Sequence, residues 1–195
     1  PIVIYGGWIV VLMGGIAFFL SYYYTAPPLN LGARGFGELD VFLSFTFLAL
    51  FPYIVLVGDV SLEAVVLAVT VGIVVMLLRV VDQMFGYEAH KEAGEKDFSV
   101  RFGLEGASKV VLYCLTVMYA LDLALVLFFG VGYAILFLTI PLAIGMSKIF
   151  ANREDRFRWL RPIPLMLKTA MGQMLLLTFS QLLMSWINEL SWHPL

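Results

Sequence analysis

A chain of 195 residues that is 62% apolar and only 13% charged departs from soluble domains, which average about 45–50% apolar and about 25% charged residues. Its mean hydropathy of +0.95 makes the bilayer its solvent, and a formal net charge of −2 excludes a general basic surface for nucleic acid. The single cysteine, Cys114, has no partner for an internal disulfide.

A helix needs about 20 apolar residues to cross the hydrocarbon core. Six stretches meet or approach that length: 1–24, 39–57, 62–81, 104–130, 133–150 and 164–187. The first, PIVIYGGWIVVLMGG, opens without an initiator Met or a basic leader, so it does not read as a signal peptide. A chain that starts inside an apolar helix is expected to continue upstream of Pro1. The predicted fold class is all-α: a multi-spanning transmembrane helix bundle in one membrane domain, 1–195, with loops 25–38, 82–103 and 151–163.

The charges test that map. All 12 Lys and Arg residues lie in or beside the first, third and fifth connections. Arg34 is in the first. Arg79, Lys91, Lys96, Arg101 and Lys109 belong to the third. Lys148, Arg153, Arg156, Arg158, Arg161 and Lys168 belong to the fifth. Alternate connections share one side of a membrane, and an excess of bases marks that side as cytoplasmic. The expectation is a multi-pass protein of the inner or plasma membrane, with the three loops in the cytoplasm and the C-terminus outside. Trp8, Trp159, Trp186 and Trp192 fall near the predicted interfaces, as an aromatic belt does.

The third connection reads DQMFGYEAHKEAGEKDFSVRFG and concentrates Asp82, Glu88, Glu92, Glu95 and Asp97 with His90, Lys91, Lys96 and Arg101. Mg²⁺ is a hard cation that one or two carboxylates hold together with substrate phosphates. Neighbouring bases then take the remaining phosphate oxygens. Carboxylates beside bases at a membrane surface therefore suit a diphosphate site. A solvated, salt-bridged loop has the same composition, and residue types alone leave both readings open. Glu88 and Glu92 share a face if this stretch is helical. Asp82 and Glu88, six apart, do not.

The same stretch resembles the second aspartate-rich motif of the UbiA superfamily of intramembrane prenyltransferases. That motif runs N-x-x-x-D-x-x-x-D-R/K-x-x-G-x-K/R-T/S-x-x-V-R-x-G. Lys91, Gly94, Lys96, Val100, Arg101 and Gly103 match it, and Asp97 stands where Ser or Thr is usual. The first connection, YTAPPLNLGARGFGELDVF, resembles the corresponding loop of the MenA-like branch, Y-T-x-x-P-x-x-L-x-x-R/K-G-x-G-E/D. Tyr24, Thr25, Pro28, Leu31, Arg34, Gly35, Gly37 and Glu38 match in order.

The resemblance implies that the chain is the C-terminal two thirds of a bundle of about nine helices. It implies Mg²⁺-dependent transfer of a polyprenyl group from its diphosphate to an aromatic or other small polar acceptor, as in menaquinone-type lipid biosynthesis. With the motif's two aspartate positions occupied by Gly86 and His90, the remaining candidate Mg²⁺ ligands are Asp82, Glu88 and Glu92. The expected diphosphate-binding residues are Arg34, His90, Lys91, Lys96 and Arg101, and Tyr24 and Tyr87 are expected at the substrate pocket. No catalytic residue is named. Two departures stand out. The family's earlier motif, N-D-x-x-D-x-x-x-D, is not in these 195 residues. The two aspartates of the second motif fall at Gly86 and His90, with Asp82 where Asn is usual. They keep a second reading open: a non-catalytic homologue that binds a lipid, quinone or pigment, with or without other membrane subunits.

Asp122, inside the fourth stretch, is an ionisable group at membrane depth and so a functional candidate by default. Tyr119 or Tyr133 is the expected partner for a structural role. The arginines from Arg153 to Arg161 read as topology determinants or anionic-lipid contacts.

Overall fold

The computed structural model describes residues 2–152 and 158–191, with side chains described for all of these but 2–6, 33–34 and 188–191. Its helices are α1 (Ile2–Thr25), α2 (Gly37–Val57), α3 (Leu62–Phe85), the short α4 (Tyr87–Glu92), α5 (Phe98–Phe129), α6 (Ile140–Ala151) and α7 (Pro162–Ser191). A π-helical turn, Gly32–Phe36, leads into α2, and a 3-10 segment, Val131–Thr139, leads into α6. Among the described residues six helical stretches are long and apolar enough to cross a membrane: Gly7–Thr25, Gly37–Val57, Leu62–Phe85, Phe98–Phe129, Val131–Ala151 and Pro162–Ile187. Helices satisfy their own backbone hydrogen bonds where lipid offers no partner, so the expected all-α class follows from the composition.

Three boundaries differ from the sequence reading. The first span is interrupted at Gly7, whose φ of 60° and ψ of −151° leave the helical region, and Pro1 lies outside the described residues. The stretch 82–103 is not a loop. α3 runs on to Phe85, α4 follows, and α5 begins at Phe98 with a break at Gly103 (φ 71°, ψ 166°), beside the predicted start of the fourth span. Hydropathy marks where a helix leaves the apolar phase, not where it ends. Finally, the fifth span is 3-10 over its first nine residues, Val131–Thr139, a longer run than the usual three or four. An apolar stretch reads the same at either helical pitch.

α3 is the central helix. Its buried Ile73, Val74, Leu77, Val80, Val81 and Met84 pack against Ala107, Val111, Cys114, Leu115 and Met118 of α5, and against Met146 and Met166 of α6 and α7. Between α2 and α3 the contact is close because position 72 is glycine. A Cβ there would stand 2.7 Å from the Phe42 carbonyl oxygen. Small residues at helix contacts let backbones approach where lipid provides no hydrophobic drive.

Two polar networks cross the apolar interior. Asp122 of α5 is fully buried, and its partner is Gln173 of α7, whose Nε2 donates to Asp122 Oδ2 at 3.0 Å and to Thr139 Oγ1 at 3.0 Å. The expected tyrosine partners are corrected by this. Tyr119 pairs with Thr139, at 2.9 Å, while Tyr133 donates to Glu63 and accepts from Gln181. The Gln173 amide of α7 bonds Asp122 directly, and the two tyrosine hydroxyls bond elsewhere. Trp8 and Trp186 are exposed on the outer surface, and Trp192 lies outside the described residues.

Candidate functional site

The end of the bundle that carries the charged connections is closed by local caps. The Asp97 carboxylate accepts from the Val100 N–H at 2.8 Å and so starts α5, the usual work of an N-cap residue. Ser99 Oγ lies 3.0 Å from both Asp97 Oδ1 and the Gln83 carbonyl oxygen, joining this cap to the end of α3. Arg101 Nη1 donates to the Gly35 carbonyl at 3.0 Å. The two connections that resemble the family motifs are thereby held side by side, 66 residues apart in the chain.

Between them lies a cavity of about 410 Å³, lined by Tyr24, Thr25 and Asn30, by Glu38, by Arg79 and Gln83, and by the turn from Ala93 to Asp97. Its wall is organised by Glu38, which is only 7% exposed. Glu38 Oε1 accepts from Gln83 Nε2 at 2.5 Å and from the Phe98 N–H at 3.2 Å. One carboxylate at the start of α2 therefore ties the ends of α3 and α5 together. The Gln83 carbonyl oxygen Oε1 and the Arg79 Nε are both buried without a hydrogen-bond partner.

The departures from the family pattern at positions 86, 90 and 97 form one unit. The His90 ring lies over Gly86: a Cβ at Gly86 would stand 2.7 Å from His90 Nε2. On its other side, His90 Nδ1 is 2.5 Å from Asp97 Oδ2 and 3.7 Å from Glu95 Oε2. Each substitution makes room or supplies a partner for the next. A side chain at position 86 would take the place of the ring, and Ser or Thr at position 97 would not offer it a carboxylate.

The sequence-predicted residues divide between several places. Tyr24 and Lys96 line the cavity. Arg101 clamps the two connections. His90 stands in the unit just described. Lys91 is exposed on α4, its ammonium 5.7 Å above the Tyr87 ring, and neither residue lines the cavity. Arg34 is in the π-helical turn, and its side chain lies outside those described.

The three expected Mg²⁺ ligands are not brought together. Asp82 pairs with Arg79 at 3.4 Å and borders a different, apolar cavity with Leu78, Val81 and Phe85. Glu88 and Glu92 are exposed on α4. Gly86 ends α3, so Asp82 lies on one helix and the two glutamates on the next. Among the described residues the one group of three ligand-type side chains within 4.8 Å of each other is His90, Glu95 and Asp97. It does not fit a resident Mg²⁺. Imidazole suits softer metals, and both Asp97 oxygens are already engaged, one by Ser99 and Val100 and the other by His90. That leaves Glu95 as a single carboxylate.

Arg79, Gln83 and Asn30 were not anticipated as site residues, and Glu38 was noted only as part of a motif. Arg79 and Gln83 sit one turn apart near the end of α3. Polar groups four apart, which share a helix face, are the signal that marks them.

Two curated proteins match the chain. One is the 1,4-dihydroxy-2-naphthoate octaprenyltransferase of Bacillus subtilis (strain 168), 23% identical over 154 residues that make up 75% of this chain and 48% of the relative. The other is the 2-carboxy-1,4-naphthoquinone phytyltransferase of Synechocystis sp. (strain ATCC 27184 / PCC 6803 / Kazusa), 31% identical over 113 residues, 57% of this chain and 37% of the relative. The chain spans about half, or less, of the length of the relatives it matches. No family model and no solved structure matches it. In sequence, in its two motif-bearing connections and in its all-helical membrane bundle, the chain is similar to the MenA-like prenyltransferases of the UbiA superfamily.

Proposed function

We propose that this chain forms part of an intramembrane prenyltransferase that moves a polyprenyl group from its diphosphate to an aromatic acceptor. One observation carries the reading: two connections that resemble the family motifs close on a single cavity at one end of the bundle, with a cation, Lys96, and the buried carboxylate Glu38 in its wall. The two relatives are named for prenyl transfer to naphthalene-type acceptors, and an acceptor of that chemistry is the one proposed here.

In this reading Lys96 draws the diphosphate to the cavity mouth, where a cation stabilises the charge that develops as the carbon–oxygen bond breaks. Arg101 keeps the two connections at a fixed spacing. Tyr24 closes the side of the cavity. Mg²⁺ belongs to the proposal only as the ion that accompanies the diphosphate, and no step is assigned to an ion held by the His90, Glu95 and Asp97 group. The cytoplasmic orientation of this end rests on the placement of the bases and is likewise proposed.

The test is to incubate the purified protein in nanodiscs with a labelled isoprenoid diphosphate, Mg²⁺ and 1,4-dihydroxy-2-naphthoate. Prenylated product together with released diphosphate is the expected result. The unit of Gly86, His90 and Asp97 favours a second reading, a lipid- or quinone-binding homologue without transfer, because it replaces both aspartates of the motif. Tight isoprenoid binding with no diphosphate release above a protein-free control selects that reading.

A further inference from the structure

We propose that Arg79 and Gln83 form the acceptor subsite of the cavity, and that they select an aromatic ligand carrying a hydroxyl hydrogen beside an anionic oxygen. This inference rests on the prenyl-transfer reading and adds to it the residues that choose and orient the acceptor.

Both side chains line the cavity from one face of α3. Gln83 is 1% exposed, and its amide has no choice of orientation. Glu38 Oε1 lies 2.5 Å away and accepts hydrogen bonds from Gln83 Nε2 and from the Phe98 N–H. An amide turned the other way would set oxygen against oxygen. The Oε1 atom is therefore fixed as an acceptor, and it is buried without a donor. Beside it on the same helix, Arg79 Nε is buried without an acceptor, while Arg79 Nη1 leans on Asp82 at 3.4 Å.

Buried polar groups of native proteins are generally partnered. The two residues that carry these orphaned atoms of opposite hydrogen-bonding sense both line one cavity, and a ligand that reaches in to complete them is defined by that pair. The ligand must donate to Gln83 and accept from Arg79. An ionised diphosphate offers only acceptor oxygens and cannot satisfy Gln83. An isoprenoid tail satisfies neither. A hydroxylated aromatic acid satisfies both, and a planar guanidinium suits a carboxylate. Glu38 acts here as a positioning residue. It touches no ligand but sets which atom of Gln83 the ligand meets.

The experiment compares three ligands on the protein in nanodiscs, with binding followed by intrinsic fluorescence. They are 1,4-dihydroxy-2-naphthoate, its dimethyl ether, which keeps the carboxylate but has no hydroxyl hydrogen, and 1,4-dihydroxynaphthalene, which lacks the carboxylate. On the unmodified protein each analogue is expected to bind at least about tenfold more weakly, since sites built around a hydroxyl reject ligands that lack it. Gln83→Met should abolish discrimination against the ether while keeping discrimination against the decarboxylated analogue. Arg79→Met should do the reverse. The apparent KM for the isoprenoid diphosphate should change by less than about twofold in both, against about tenfold or more for the acceptor.

A merely structural role would weaken all three ligands alike, and that outcome overturns the proposal. Equal binding of the three ligands to the unmodified protein overturns it without any variant, so poor folding of a variant leaves it testable. Selective binding with no transfer leaves the subsite standing and removes the transferase reading. Transfer with unselective binding does the opposite.

Discussion

The protein contains the same chemical pair in two places, and the pair does different work in each. Glu38 with Gln83, and Asp122 with Gln173, are both buried carboxylate–glutamine contacts between two helices, and in both the glutamine oxygen has no partner. The first lines a cavity beside two irregular connections. The second is enclosed among α5, α7 and the 3-10 segment, where Gln173 also reaches Thr139 and the Leu136 carbonyl. Burial of a carboxylate is therefore not itself a mark of function. What separates the two is access, because a polar wall facing a cavity can meet a ligand and a polar contact sealed between helices serves only the packing.

The largest expected effect comes from Glu38→Ala. It strips the partner from Gln83 Nε2 and from the Phe98 N–H at once, and leaving such groups unpaired should cost about 3 kcal/mol, read as a lower midpoint of thermal unfolding in detergent, together with loss of acceptor binding. Next, Gln173→Leu should lower stability by about 1 kcal/mol, the scale of interhelical hydrogen bonds in membranes, and leave discrimination among the three acceptor ligands intact. If it disturbs that discrimination as much as Gln83→Met does, the contrast between the two pairs fails. Gly86→Ala places a methyl group against the His90 ring and should cost about 1 kcal/mol through overpacking. The His90 imidazole NMR signals should shift as its contact with Asp97 loosens. Arg101→Gln, which removes one donor to the Gly35 carbonyl, is expected to cost about 0.5–1.5 kcal/mol. Faster hydrogen exchange confined to the π-helical turn and the start of α5 would show that Arg101 holds the two connections and nothing more.

The motif comparison illustrates why part of the site could not be read along the chain. Glycine at position 86 and histidine at position 90 look like two separate losses. In three dimensions they are one change, because the His90 ring occupies the space above Gly86 and is held by Asp97. Asp82, Glu88 and Glu92 are near in sequence, but the break at Gly86 puts Asp82 on α3 and the two glutamates on α4. Arg101 and Gly35 are 66 positions apart and touch.

Composition, the lengths of the apolar runs and the placement of the bases determined that this is a membrane bundle of six spans, which connections lie at one end, and which family it resembles. These are properties of transfer between water and lipid, and they add up residue by residue. Tertiary structure alone decided which carboxylate organises the cavity, which glutamine faces it, and that Gln173, rather than a tyrosine, answers Asp122. Those outcomes depend on which helix faces which, and on the orientation of single side chains in the packed interior. Hydropathy carries neither.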